Sequence, residues 1–188
     1  VFVDLLYEIR SGTQILDFYD LRPEDSCIRL HPESVKSVPK TLLSAVHLSD
    51  ESPAHRKVFL TRQSRMRRIC NEAELVDTLL GEGFEIMDTG ALAMGAQVKF
   101  MASCRLLVAP TGAALTNILF MPAGSMVIVL ESDHPATNTK FWDDLADIAG
   151  VHIHRVVGRR AFSVTGKYAV HDDFYIDDTT LLDLVQSQ

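Results

Sequence analysis

From Lys57 onward, short apolar runs alternate with segments whose apolar residues recur every three or four positions. The runs "KVFLT", "FEIMD", "RLLVAP", "MVIVLE" and "HIHRVV" predict β-strands. Two of them, "RLLVAP" and "MVIVLE", are apolar almost without alternation, the pattern of a strand covered on both faces. Asn71-Glu72-Ala73-Glu74 predicts the start of a helix, with Asn71 as N-cap and Glu74 as its capping-box partner. Leu75, Val76, Leu79 and Leu80 then share one face, and Gly81/Gly83 ends the helix. Further helices are predicted from about Gly95 to Ser103, from Ala113 to Met121, over "TNTKFWDDLADIAG", and from an Asp178 cap through "DTTLLDLVQ". Buried strands alternating with amphipathic helices imply an α/β domain, a Rossmann-like doubly wound parallel sheet.

The first 55 residues follow no such rhythm. Leu5, Leu6 and Ile9 suggest one short helix, Ile15 to Leu21 another, and "CIRL" a strand, while "HLSDESPAH" reads as a polar boundary. The division is therefore 1–55, an appendage or the remnant of another domain, and 56–188, the regular domain.

Composition narrows the classes. The chain has 188 residues, 47% of them hydrophobic and 23% charged, enough for one sizeable core. No apolar run approaches the ~20 residues that span a bilayer, and the opening "VFVDLLYEIR" lacks the pattern of a signal peptide. Val1 in place of Met fits a portion of a longer protein. Cys27, Cys70 and Cys104 are widely spaced and odd in number, which favours a reducing compartment over a disulfide framework.

A net charge of -7 argues against nonspecific nucleic-acid binding, yet the charge is uneven. Arg56, Lys57, Arg62, Arg65, Arg67 and Arg68 fall within one short stretch that contains no acidic residue. Such a patch in an acidic protein suits a compact anion better than a long polyanion.

Two features should meet at the carboxyl ends of the strands, where open parallel sheets bind ligands. One is the basic loop Arg62 to Arg68 after the first strand. The other is Thr111-Gly112-Ala113-Ala114, where "RLLVAP" opens into a helix. A helix N-terminus offers unpaired N–H groups and a partial positive charge, and small residues let phosphate oxygens approach them. Arginines add charge-assisted bonds. Each feature has a plainer explanation, a solvated patch and close strand–helix packing. Together they describe a diphosphate site.

Other signals are weaker. Neither Gly-x-x-x-x-Gly-Lys-Ser/Thr nor Gly-x-Gly-x-x-Gly is present, so P-loop and nicotinamide-cofactor readings lose their main support. His152 and His154 share a strand face without a third ligand, and a structural role is the better reading. The pairs Asp143-Asp144, Asp172-Asp173 and Asp177-Asp178 read as solvated turns and helix caps, and Trp142 as packing.

The stretches "VFLTRQSRMRRICNEAELVDTL" and "GAQVKFMASCRLLVAPTGAALTNILFMPAGS" resemble the donor-binding half of glycosyltransferase family 61. That family includes bacterial capsular and lipopolysaccharide transferases, plant β-xylosyltransferases and an animal protein O-GlcNAc transferase. Its pattern runs Arg, basic residues, Asn-Glu-x-Glu, a later Gln, then Gly-Pro-His-Gly-Ala-x-Leu-Thr-Asn-x-x-Phe-Met-Pro-x-Gly. Arg62, Arg68, Asn71, Glu72, Glu74, Gln97, Pro110, Gly112, Ala113, Leu115, Thr116, Asn117, Phe120, Met121, Pro122 and Gly124 match it.

The resemblance implies an inverting, metal-independent hexosyl- or pentosyltransferase of the GT-B type, of which this chain would be the Rossmann-like half. Its substrates would be a nucleotide sugar, most simply UDP-linked, and a glycan or other acceptor, with no cofactor or resident metal. The setting would be cell-surface polysaccharide synthesis in a bacterial cytoplasm or at the inner membrane's periphery. Arg62, Arg65 and Arg68 with Thr111, Gly112 and Ala113 would hold the diphosphate. Gln97, Thr116, Asn117 and Glu131 would serve the nucleotide or sugar.

Three departures stand out: Thr111 replaces the family's His, Ala109 its Gly, and Glu131 lies two residues past Val129, where a Glu is usual. The 55 preceding residues are too few for an acceptor domain, which a longer chain, a partner domain or a second copy would supply. No general base is assigned. The competing reading is a non-catalytic nucleotide- or phosphate-binding module that keeps the donor pocket.

Overall fold

In a computed structural model, residues 30–46, 54–61, 66–135, 137, 140–162 and 171–188 are described. The calls on the helices and strand within 1–29, and Arg62 and Arg65, lie outside them. Six strands form one sheet: β1 (Arg56–Thr61), β2 (Glu85–Asp88), β3 (Cys104–Pro110), β4 (Met126–Ser132), β5 (His152–Arg160) and β6 (Phe174–Tyr175). Their spatial order is β2-β1-β3-β4-β5-β6. Neighbours from β2 to β5 run parallel, and β5 with β6 runs antiparallel. The sheet is thus mixed, mostly parallel and compatible with a Rossmann-like fold. At two residues, β6 is too short to carry a hydrophobic pattern, which is why the sequence predicts no such strand.

The apolar strands bury both faces. On one face Val58, Leu60, Leu107, Val127 and Val129 pack with Val98, Met101, Leu115, Ile118 and Leu145. On the other, Phe59, Leu106, Val108, Ile128 and Leu130 pack with Leu75, Leu79, Phe174, Leu181 and Val185. Side chains alternate across a strand, so successive residues of β3 and β4 feed opposite cores. The first face is covered by α1 (Pro32–Ala45), α3 (Met94–Met101), a 3₁₀ helix (Ala113–Phe120) and α4 (Lys140–Ala149). The second is covered by α2 (Glu72–Gly81) and α5 (Asp178–Gln186).

Helix α1 lies in the stretch whose pattern predicts no element there. His31 accepts from the Ser34 N–H at its start, Pro32 occupies the first turn, and Val35, Leu42 and Leu43 pack against the first core. Helix α2 stops at Gly81, and Gly83 turns the chain just beyond it, with φ 81° and its N–H donating to the Leu80 carbonyl. A left-handed turn of this kind favours glycine. Trp142 is partly buried against the first core, edge-on to Phe141 at 4.7 Å.

Three local expectations are corrected. Asn71 stands at the N-cap of α2, but its side chain makes no capping bond. The cap of α5 is Asp177, which accepts from the Thr179 and Thr180 N–H groups, rather than Asp178. The helix after β3 is a 3₁₀ helix, tightened by side chains that bond back to its own carbonyls.

Candidate active site

The connection after β1 leads to α2 on one face of the sheet, and the connection after β3 leads to the 3₁₀ helix on the other. Because β1 and β3 are neighbours, their two exits part at the carboxyl edge, the kind of switch point at which open α/β sheets bind ligands. The end of β1, from which the basic segment departs, and the small-residue turn after β3 therefore lie at the edge where this topology binds ligands.

On the β3 side, the Thr111 N–H donates to the Leu130 carbonyl at 3.1 Å and is already spent on the sheet. Gly112, Ala113 and Ala114 follow, and among the described residues their N–H groups donate to none. Gly112 is extended, at φ 162° and ψ 176°, a conformation open to any residue. Its value there is small size. Thr116 Oγ donates to the Ala113 carbonyl at 2.7 Å, and buried Asn117 donates to that of Ala114 at 2.9 Å. Both side chains brace the turn, Asn117 from the buried side and Thr116 from the exposed one. Gln97 spends both N–H bonds of its amide on the Thr89 and Leu92 carbonyls, each at 2.9 Å, shaping the turn after β2.

On the β1 side, the loop's exit is tied to the C-terminal segment. Arg68 donates from its backbone and Nε to the Asp173 carboxylate at 2.8 and 2.9 Å, and from Nη2 at 2.6 Å. Burial alone would push the Asp173 carboxyl up. The hydrogen bonds and charge of Arg68 outweigh it and hold the carboxyl below the usual carboxylate range. Arg68 is still 61% exposed at its side chain. Asn71 donates to the Ile176 carbonyl at 2.8 Å and accepts from the Ile176 N–H at 3.1 Å. A bridge between Ile69 and Phe174 completes this clamp. Between clamp and loop, Arg67 adopts φ 55°, rare for a residue with a side chain, and its N–H donates to the His171 carbonyl.

At the end of β4, Glu131 is buried on the same face as the 3₁₀ helix. Burial raises its carboxyl pKa, Arg155 lowers it, and Asp143 raises it again. The net direction is upward. Arg155 reaches Glu131 Oε1 at 3.7 Å and Asp143 at 2.5 Å. The sequence shows Asp143 and Asp173 as members of solvated acidic pairs; in the fold each is committed to an arginine. Both partners are distant in sequence, so no local pattern signals the pairing.

Other candidates fall elsewhere. An open groove of about 480 Å³, lined by Asp143, Asp147, His152 and His154 among others, lies against the first residues of β4 and β5. Among the described residues, no group of three or more His, Cys, Asp or Glu could hold a metal ion. Nor is any helix among them long and apolar enough to cross a membrane.

Compared with known families, residues 18–128 match the model of Glycosyltransferase 61. The match spans more than half of the chain, taking in α1, the basic loop, the small-residue turn and the start of β4. No curated protein matches the chain.

Proposed function

This chain belongs to glycosyltransferase family 61, and from that premise we propose that the sheet edge at the carboxyl ends of β1 and β3 receives the diphosphate of a nucleotide-sugar donor. Family membership makes the protein a glycosyltransferase, with a sugar donor and an acceptor as substrates. The proposal goes further: an inverting transfer without a metal, from a UDP-linked donor to a growing surface glycan.

One observation carries the reading. The N–H groups of Gly112, Ala113 and Ala114 find no acceptor among the described residues, and they follow β3, the sheet neighbour of the strand from which the arginine-rich segment departs. Leaving-group departure puts charge on the diphosphate, and donors aimed at that position stabilise it as it forms. In the proposed site Arg62, Arg65 and the exposed face of Arg68 supply cationic donors, and the turn supplies neutral ones. Asn117 and Thr116 act by bracing the turn. Glu131 accepts a hydroxyl of the donor.

A second reading has its own support. Thr111, in the place of the family's His, is buried and offers a hydroxyl that cannot shuttle protons as an imidazole can. That favours a module that binds a nucleotide without turning it over. Incubating the protein with a panel of nucleotide sugars separates the two. Transfer requires binding together with slow donor hydrolysis. Binding without turnover, even in the presence of an acceptor glycan, selects the module. Failure to bind any nucleotide contradicts both.

A further inference from the structure

Glu131 poses a physical problem that the fold does not resolve. It is only 5% exposed, and its Oε2 has no hydrogen-bond partner. Buried carboxylate oxygens are almost always paired, because an unpaired one costs most of its hydration free energy. Its other oxygen lies 3.7 Å from Arg155 Nε, within ion-pair range but too long for a strong hydrogen bond. Arg155 is itself anchored by Asp143 of α4 at 2.5 Å. The arrangement is a relay of three charges from α4 through β5 to β4, with one oxygen left over at its end.

The place of that oxygen gives the relay its meaning. Extending the β3–β4 register by one residue, from Pro110 opposite Leu130, sets Thr111 beside Glu131. Glu131 therefore stands next to the turn whose N–H groups lack acceptors, on the face that carries the 3₁₀ helix. Glu131, Asp143 and Arg155 all lie beyond residues 18–128, outside the stretch that matches the family. Among the described residues, the charged groups acting on Glu131 are Arg155 from β5 and Asp143 from α4, while β3 contributes uncharged Ala109 and Pro110.

We propose that Arg155, braced by Asp143, is a positioning residue that holds Glu131 with one carboxylate oxygen turned over to a hydroxyl of the bound nucleotide. Arg155 touches no substrate. It keeps Glu131 ionised in a buried place and fixes the oxygen that is not used. Asp143 fixes Arg155 and tempers its effect, since its own negative charge opposes the ionisation of Glu131. This inference rests on the donor-site reading above, and its test separates the two.

UDP is titrated calorimetrically into the wild-type chain and into Glu131→Gln between pH 5 and 8.5. The ratio of the two affinities isolates the part due to the Glu131 carboxylate and cancels titration of the phosphate itself. That ratio rises with pH as Glu131 ionises. Arg155→Met removes the cation that favours ionisation, so the midpoint moves up by about one pH unit or more. Arg155→Lys restores it toward wild type. Asp143→Asn keeps an oxygen for Arg155 but loses the opposing charge, so the midpoint moves down. These opposite signs are the signature of the relay, and a residue that only supported the fold would produce neither. Asp143→Asn also carries the test alone if Arg155→Met does not fold. Midpoints that stay fixed while UDP binds normally overturn the role of Arg155. Equal affinities for wild type and Glu131→Gln at every pH overturn the role of Glu131. No UDP binding by the wild type overturns the donor site and this inference with it.

Discussion

Burial holds the Glu131 carboxyl above the usual carboxylate range, and Arg155 offsets only part of that effect. A carboxyl whose pKa is raised on folding stabilises the fold below its unfolded value, about pH 4.3, and loses that contribution as pH rises through the folded value. Glu131→Gln carries no such dependence. The variant is therefore expected to melt above the wild type at pH 8, with the difference shrinking toward zero near pH 4. Thermal unfolding at the two pH values measures it; a variant that melts below the wild type at pH 8 would show that the fold favours the carboxylate. Glu131 was legible as a candidate through the family resemblance, which expects a Glu two residues earlier on the same strand face. Its partners were not, because Asp143 and Arg155 meet it only once α4 packs on the sheet. Arg68 repeats the lesson: its charge reads from the chain, and its bond to Asp173 comes from a contact across 105 positions.

Strands buried on both faces announce themselves as apolar runs, and β1, β3 and β4 appear where those runs predict them. Short or lightly buried elements do not. Helix α1 has Pro39 in its interior and many polar positions, so its apolar stripe is faint, and β6 has only two residues. Asn71 shows how tertiary structure overrides a local motif. The Asn-Glu-x-Glu spacing suits a capping box, but a two-way bond to the Ile176 backbone takes the amide instead. Asn71→Ala would leave the Ile176 N–H and carbonyl without that partner and loosen the clamp on the basic loop. A loss of about 1–3 kcal/mol is expected, the usual cost of leaving such groups unsatisfied. Urea unfolding monitored by circular dichroism would read it, and an unchanged midpoint would mean that the clamp adds no stability.

At the scale of the whole molecule, the sheet sets β1 and β3 side by side, and the connections that leave these two strands go to opposite faces. That much follows from the alternation of strands and helices once the chain direction is known. The basic loop and the small-residue turn then fall at one edge because each follows a strand, β1 and β3, that the sheet sets side by side. Family 61 membership gives the protein its class of reaction, and the acidic balance of the rest of the chain makes the local cluster of arginines stand out. Calorimetric titration of UDP into the wild type and Arg62→Ala tests the proposed grip of this edge on a diphosphate. Binding by the wild type is expected, with a loss of about 1.5–3 kcal/mol in the variant, the range for a charge-assisted bond, or roughly 10- to 150-fold in affinity. Equal affinity in the two proteins would contradict it.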